Sequence, residues 1–184
     1  MISLSFIVAS ILILLAPGPT NTVLATCGAA MGFRRAAFLT LAAALGYLVA
    51  VSIFASFASL FGGNSLALVA VKLAAALWLS YSACRLWMMP FDLKDTAPRD
   101  GFVRVLLTTM VNPKAMLVGT VLIPADKGGV AVWIGTFAAL AAVTGLGWIR
   151  LGAGLPLGIR RHAYKLAAVV LGGFSVAAVA STLG

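Results

Sequence analysis

The chain has 184 residues, of which 62% are hydrophobic and only 9% charged, with a formal net charge of +9. A mean hydropathy of +1.12 leaves too little polar surface to coat a soluble globule and points to the bilayer as solvent. In a soluble domain such a basic balance would suggest a nucleic-acid partner, but here the basic residues are spread over separate connections, which excludes a single basic patch.

A hydrocarbon core about 30 Å thick takes about 20 apolar residues per helix, and six runs of that order follow one another. The first extends from Ile2 to Ala30, inside the uncharged stretch Met1–Phe33. A signal peptide has a basic n-region and a shorter apolar core, so this run is expected to be a retained helix. The second is uncharged from Ala36 to Gly63, and the third, from Ser65 to Met89, contains Lys72. The fourth, from Phe102 to Pro124, contains Lys114; the fifth runs from Gly129 to Leu151 and the sixth from Tyr164 to Leu183. Continuous apolar runs satisfy their backbone groups in lipid as helices, whereas a barrel would alternate over ten-residue segments. The expected fold is an all-α integral membrane protein with six transmembrane helices.

Ten of the thirteen basic residues fall at alternate connections: Arg34 and Arg35; Arg85, Lys94, Arg99 and Arg104; Arg150, Arg160, Arg161 and Lys165. The positive-inside rule makes those connections cytoplasmic and turns both termini outward. The most polar stretch, MPFDLKDTAPRDG at residues 89 to 101, divides the runs three and three. The expected division is a first three-helix repeat at 1–89, a cytoplasmic linker at 90–101 and a second repeat at 102–184. An odd number of spans per half gives the halves opposite orientation, the pattern of inverted-repeat secondary transporters.

Both halves break their first helix. LLAPGPTNTVLA carries Pro17, Gly18 and Pro19, about 20 Å from the Arg34 boundary at 1.5 Å per residue. MVNPKAML carries Pro113, about 14 Å from Arg104. Proline removes a donor and clashes with the preceding turn. Two such breaks at matched depth in oppositely oriented halves are the best pointer in a sequence to a transport site. Half-helix C-termini favour cations and N-termini anions, so facing breaks suit a zwitterion, with Thr20, Asn21, Thr22 and Asn112 as short orienting groups. Lys114 and Lys72 are the charged residues well inside the runs. A buried lysine normally faces a cavity or a partner, although Lys72, nearer the outer boundary, is placed to snorkel. The four acidic residues Asp92, Asp95, Asp100 and Asp126 all read as loop residues, which argues against a cationic cargo. Cys27 and Cys84 have no metal or C-x-x-C spacing and read as small core residues. No cofactor and no catalytic or metal site is expected, and His162 reads as a solvated loop residue.

At APGPTNT, the following GFRRA, KLAAALWLSYSACRLW and VNPKAML, the chain resembles the LysE/RhtB superfamily of amino-acid exporters over nearly its full length. The resemblance implies a bacterial inner-membrane exporter of amino acids or close relatives. It also implies two inverted three-helix repeats and an ion gradient as the driving force. It points to Pro17, Gly18, Pro19, Asn112, Pro113 and Lys114 as the central site. Lys72 matches a lysine that often opens the third helix. Thr20 and Asn21 stand where many members have Asp or Asn directly after the second proline. Tyr47 stands where relatives often carry a polar or acidic residue. The first difference leaves the specific substrate open and the second points away from basic amino acids; Lys72, Lys114 and Tyr47 are the candidates for coupling or gating. The Gly- and Ala-rich faces allow close packing and a homodimer in the lipid. Two other readings stand beside this one. A DsbD-like membrane thiol-disulfide oxidoreductase would need a cysteine beside each proline, and a non-transporting scaffold would close its breaks by interhelical hydrogen bonds.

Overall fold

The computed structural model describes residues 2–61, 65–88, 98–123 and 129–154, together with residues 165, 169, 172, 173, 176 and 179. Most of the expected linker and sixth span, and the side chain of Lys72, lie outside the described residues. Every element among the described residues is helical. In chain order these are α1 (Leu4–Leu15), α2 (Pro19–Met31), α3 (Phe33–Ala36), α4 (Leu39–Phe61) and α5 (Ser65–Met88). They continue with α6 (Pro98–Met110), α7 (Pro113–Leu117), a π-helical turn at Val118–Leu122 and α8 (Val130–Gly154).

Two stretches are long and apolar enough to cross a membrane, Phe33–Leu60 and Val130–Gly154. Two bent pairs bring the number of candidate spans to four if each pair is one span: α1 with α2, bent by 59°, and Gly101–Met110 with Pro113–Leu122, bent by 41°. Both bends sit at the prolines. Pro19 and Pro113 each occupy the first turn of the helix that follows, where a missing N–H costs nothing and a fixed φ is already helical. One boundary differs from the sequence reading. α6 begins at Pro98, inside the stretch read as linker, so Asp100 lies in the first turn of that helix and not in a loop. A proline opening a helix and an acid in its first turn are both favourable there.

The long helices turn large apolar side chains outward. On α4, Leu41, Leu45, Val49 and Ile53 recur every fourth residue and are all exposed, while Leu39, Ala42, Ala43, Tyr47, Ala50 and Val51 face inward. An exposed leucine stripe of this length is unfavourable in water and ordinary against lipid.

Packing crosses between the halves. α2 and α1 lie on α8, whereas α6, α7 and the π turn lie on α4, and α4 and α8 meet each other between them. Backbone proximity at these crossings depends on glycine. A Cβ on Gly28 would run into the Ile149 carbonyl, and one on Gly152 into the Ala25 carbonyl, so α2 and α8 touch main chain to main chain. Two apolar clusters result. One gathers Phe6, Leu14, Tyr47, Val51, Val118, Trp133 and Phe137. The other gathers Leu24, Cys27, Leu39, Val105 and Ile149, with Phe33, Phe102 and Trp148 against it. Arg34, Arg104 and Arg150 adjoin members of this second cluster in sequence, and the Arg150 guanidinium lies 5.9 Å from the centre of the Phe33 ring.

Candidate functional site

Between the two apolar clusters lies a buried polar layer: Thr20, Asn21, Thr109, Asn112 and Lys114. The first break supplies carbonyls. α1 ends where the Ala16 N–H donates to the Leu12 carbonyl at 3.1 Å, and α2 starts where the Thr22 N–H donates to Gly18 at 2.9 Å. The carbonyls left over are taken by a side chain. Asn21 Nδ2 donates to Leu14 O at 2.8 Å and to Ala16 O at 2.7 Å, so one amide uses both its protons to close the end of α1.

The second break is closed in the same economical way. Asn112 caps α7, its Oδ1 accepting from the Lys114 N–H at 3.0 Å. Its Nδ2 donates to Thr20 Oγ1 at 2.7 Å and to Tyr47 Oη at 3.2 Å. Thr20 and Thr109 hydroxyls are 3.1 Å apart. Because Thr109 gives its proton to the Val105 carbonyl at 2.7 Å, Thr20 is the donor of that pair. Every proton in the chain Asn112 to Thr20 to Thr109 to Val105 is thereby assigned, with one donor per hydroxyl.

Two further contacts fix the geometry. Gly46 brings α6 close to α4: a Cβ there would lie 2.7 Å from Thr109 Cβ and 3.0 Å from Leu106 O. That approach lets Tyr47, one residue on, reach Asn112, with its ring held edge-on by Phe137 at 5.2 Å. Lys114, 9% exposed, crosses from the second break to the first, and its Nζ donates to the Ala16 carbonyl. Its stem lies over Gly18, where a Cβ would be 3.0 Å from Lys114 Cε.

Of the residues singled out from sequence, the fold brings together Gly18, Thr20, Asn21, Tyr47, Asn112 and Lys114, with Pro17, Pro19 and Pro113 forming the breaks around them. Lys72 belongs to α5. Thr22 turns back on its own helix and donates to Gly18 O at 2.9 Å. Cys27 is buried in the second apolar cluster and Cys84 is exposed; both are free thiols. Sequence reasoning missed Thr109 and the Ala16 and Leu14 carbonyls. Thr109 did carry a signal, as a hydroxyl in an apolar run one turn before the Pro113 break. The carbonyls were signalled only collectively, since a proline break frees those of the turn before it without saying which a side chain will reach.

Asn21→Ala is expected to lower the apparent melting temperature in detergent. It leaves the Leu14 carbonyl without its side-chain donor and the Ala16 carbonyl with Lys114 alone, at about 1–3 kcal/mol for the buried group left unpaired, or about 2–4 °C per kcal/mol for a chain of this size. An unchanged melting temperature would show that water already serves the Leu14 carbonyl.

With this geometry in hand, comparison with known proteins adds no relative: no family model, no curated protein and no solved structure matches the chain.

Proposed function

We propose that the chain is a secondary transporter of the LysE/RhtB type, exporting neutral amino acids or related small metabolites across a bacterial inner membrane by alternating access. The observation that carries this reading is the meeting of the two broken helices through buried polar side chains, with Lys114 reaching Ala16 and Asn112 reaching Thr20. Polar groups at this depth are expensive in lipid and mark a pathway more often than a mere joint. The N-terminus of α2 suits a carboxylate and the C-terminus of α1 an ammonium, which together describe an α-amino acid.

The reciprocal packing supports two inverted three-helix repeats. The broken first helix of each half lies on the unbroken second helix of the other, as a twofold relation in the membrane plane requires. The gathering of Arg34, Arg104 and Arg150 toward one apolar cluster supports cytoplasmic basic loops and outward termini. Six spans complete this scheme, with α5 as the third and the segment from Tyr164 as the sixth. The coupling ion enters through the same breaks, with Lys114, Lys72 and Tyr47 as its gating residues.

The test is counterflow in proteoliposomes with a panel of amino acids. Saturable exchange of at least one neutral amino acid is expected, reduced at least tenfold by Pro113→Ala or Lys114→Ala and little changed when Cys27 and Cys84 are both replaced by Ser. A loss confined to the cysteine variant would favour the thiol-disulfide reading instead. The completeness of the hydrogen bonding within the polar layer favours a second reading, a scaffold that transports nothing; absence of flux for the whole panel would select it.

A further inference from the structure

We propose that the Lys114 ammonium stands in the subsite for a small primary ammonium ion, so that the protein's own side chain takes the contact such a ligand would make. That the displacing ligand is cargo rests on the transport reading above; the ammonium subsite itself does not.

The subsite is the C-terminal end of α1, twelve residues long, where the last carbonyls present the negative end of the helix dipole. The oxygen that Lys114 takes is that of the C-cap residue Ala16, whose ψ of 133° turns it out of the helical set. A carbonyl has two lone pairs, and here both are used, one by Asn21 Nδ2 and one by Lys114 Nζ. Asn21 is tied to Leu14 as well, so it is the less mobile of the two donors. Among the described residues Lys114 is held at its ammonium by this one oxygen, and its stem has no side chain beneath it at Gly18. An incoming ammonium therefore reaches Ala16 O by displacing Lys114. The sequence has no Asp or Glu within ten residues of Pro17–Pro19 or of Pro113.

Displacement sets the selectivity. An ammonium ion without a carboxylate exchanges one N–H···O bond for another and leaves a second positive charge beside Lys114. A zwitterion brings a carboxylate that the released Lys114 ammonium can pair with, a charge-assisted contact stronger than the one given up. A carboxylic acid lacking an amine has no means of moving Lys114 from Ala16. The ligand class is thus the α-amino acid, and the group that discriminates is the lysine that occupies the site in its absence.

The experiment measures thermal unfolding in detergent with methylammonium chloride, against tetramethylammonium chloride at equal concentration, which has the same charge but no N–H to donate. In Lys114→Met the site is vacated, and methylammonium is expected to raise the melting temperature by about 3 °C over tetramethylammonium, with a clearly smaller rise in the parent. Gly18→Ala gives a second route that keeps the lysine. Its backbone is extended, with φ −175°, so alanine is admissible, and its Cβ would press on Lys114 Cε and lie 3.3 Å from Nζ. It is expected to respond between the parent and Lys114→Met, and it carries the test alone if Lys114→Met does not fold. An equal response in parent and variants, or none in any of them, overturns the proposal. A differential shift without counterflow retains the subsite and removes the transport reading; counterflow without a differential shift does the reverse.

Discussion

Gly152→Ala is expected to lower the apparent melting temperature by about 6–12 °C, at about 3 kcal/mol and 2–4 °C per kcal/mol. The reason lies in what the new methyl group meets. Overpacking is tolerated where a flexible side chain can yield, but a Cβ at Gly152 would enter the Ala25 carbonyl and one at Gly28 the Ile149 carbonyl. Main chain on both sides leaves only separation of α2 from α8 as relief, so Gly28→Ala belongs with Gly152→Ala. The control is internal to the same helix: among the described residues Gly135 and Gly147 have no atom within 4 Å of a Cβ, and alanine there gains helix propensity of about 1 kcal/mol. Melting curves of the four single variants decide the matter. If Gly152→Ala and Gly147→Ala unfold together, α2 and α8 do not touch as described.

The second large effect is expected at Asn112. Asn112→Ala removes three bonds at once: the cap on α7 and the bridges to Thr20 and Tyr47. Loss of a cap costs about 1 kcal/mol, and each lost bridging hydrogen bond adds about 0.5–1.5 kcal/mol, so a total of at least about 2 kcal/mol is expected. Asn112→Ser separates the two roles. A serine hydroxyl still caps the helix but is too short to reach α2 and α4, so it is expected to recover about 1 kcal/mol of stability while flux stays as low as in Asn112→Ala. Recovery of flux by serine would mean that the residue serves its own helix only, and that the bridge between the halves is incidental.

How much of this was readable in the one-dimensional string follows from the length scale of each cause. Pro17, Pro19 and Pro113 act on their own turn, so both breaks were legible, and so was the helical character of runs such as Gly129–Leu151, which appears as Val130–Gly154. Asn112 was legible as a polar residue beside a proline, but its reach to Tyr47, 65 residues away, was not. That contact depends on Gly46 admitting α6, and a glycine in an apolar helix looks the same whether or not something presses on it. The start of α6 at Pro98 was misplaced for a related reason: charged and proline-rich residues read as a linker, although proline and acid are also what a helix N-terminus prefers. Thr109 was passed over because a threonine in a membrane helix most often bonds back to its own turn, as it does to Val105, and its second bond to Thr20 is a property of the assembled bundle.

The crossed packing of α1 and α2 on α8, and of α6 and α7 on α4, bears on how such a chain is made. When the ribosome has finished the first half, Thr20 has neither Thr109 nor Asn112 to bond, and the face of α2 that carries Gly28 has nothing to lie against. Those faces therefore stay unpartnered until the later helices arrive. Both apolar clusters draw on early and late helices, so neither part of the chain has a finished core to keep by itself.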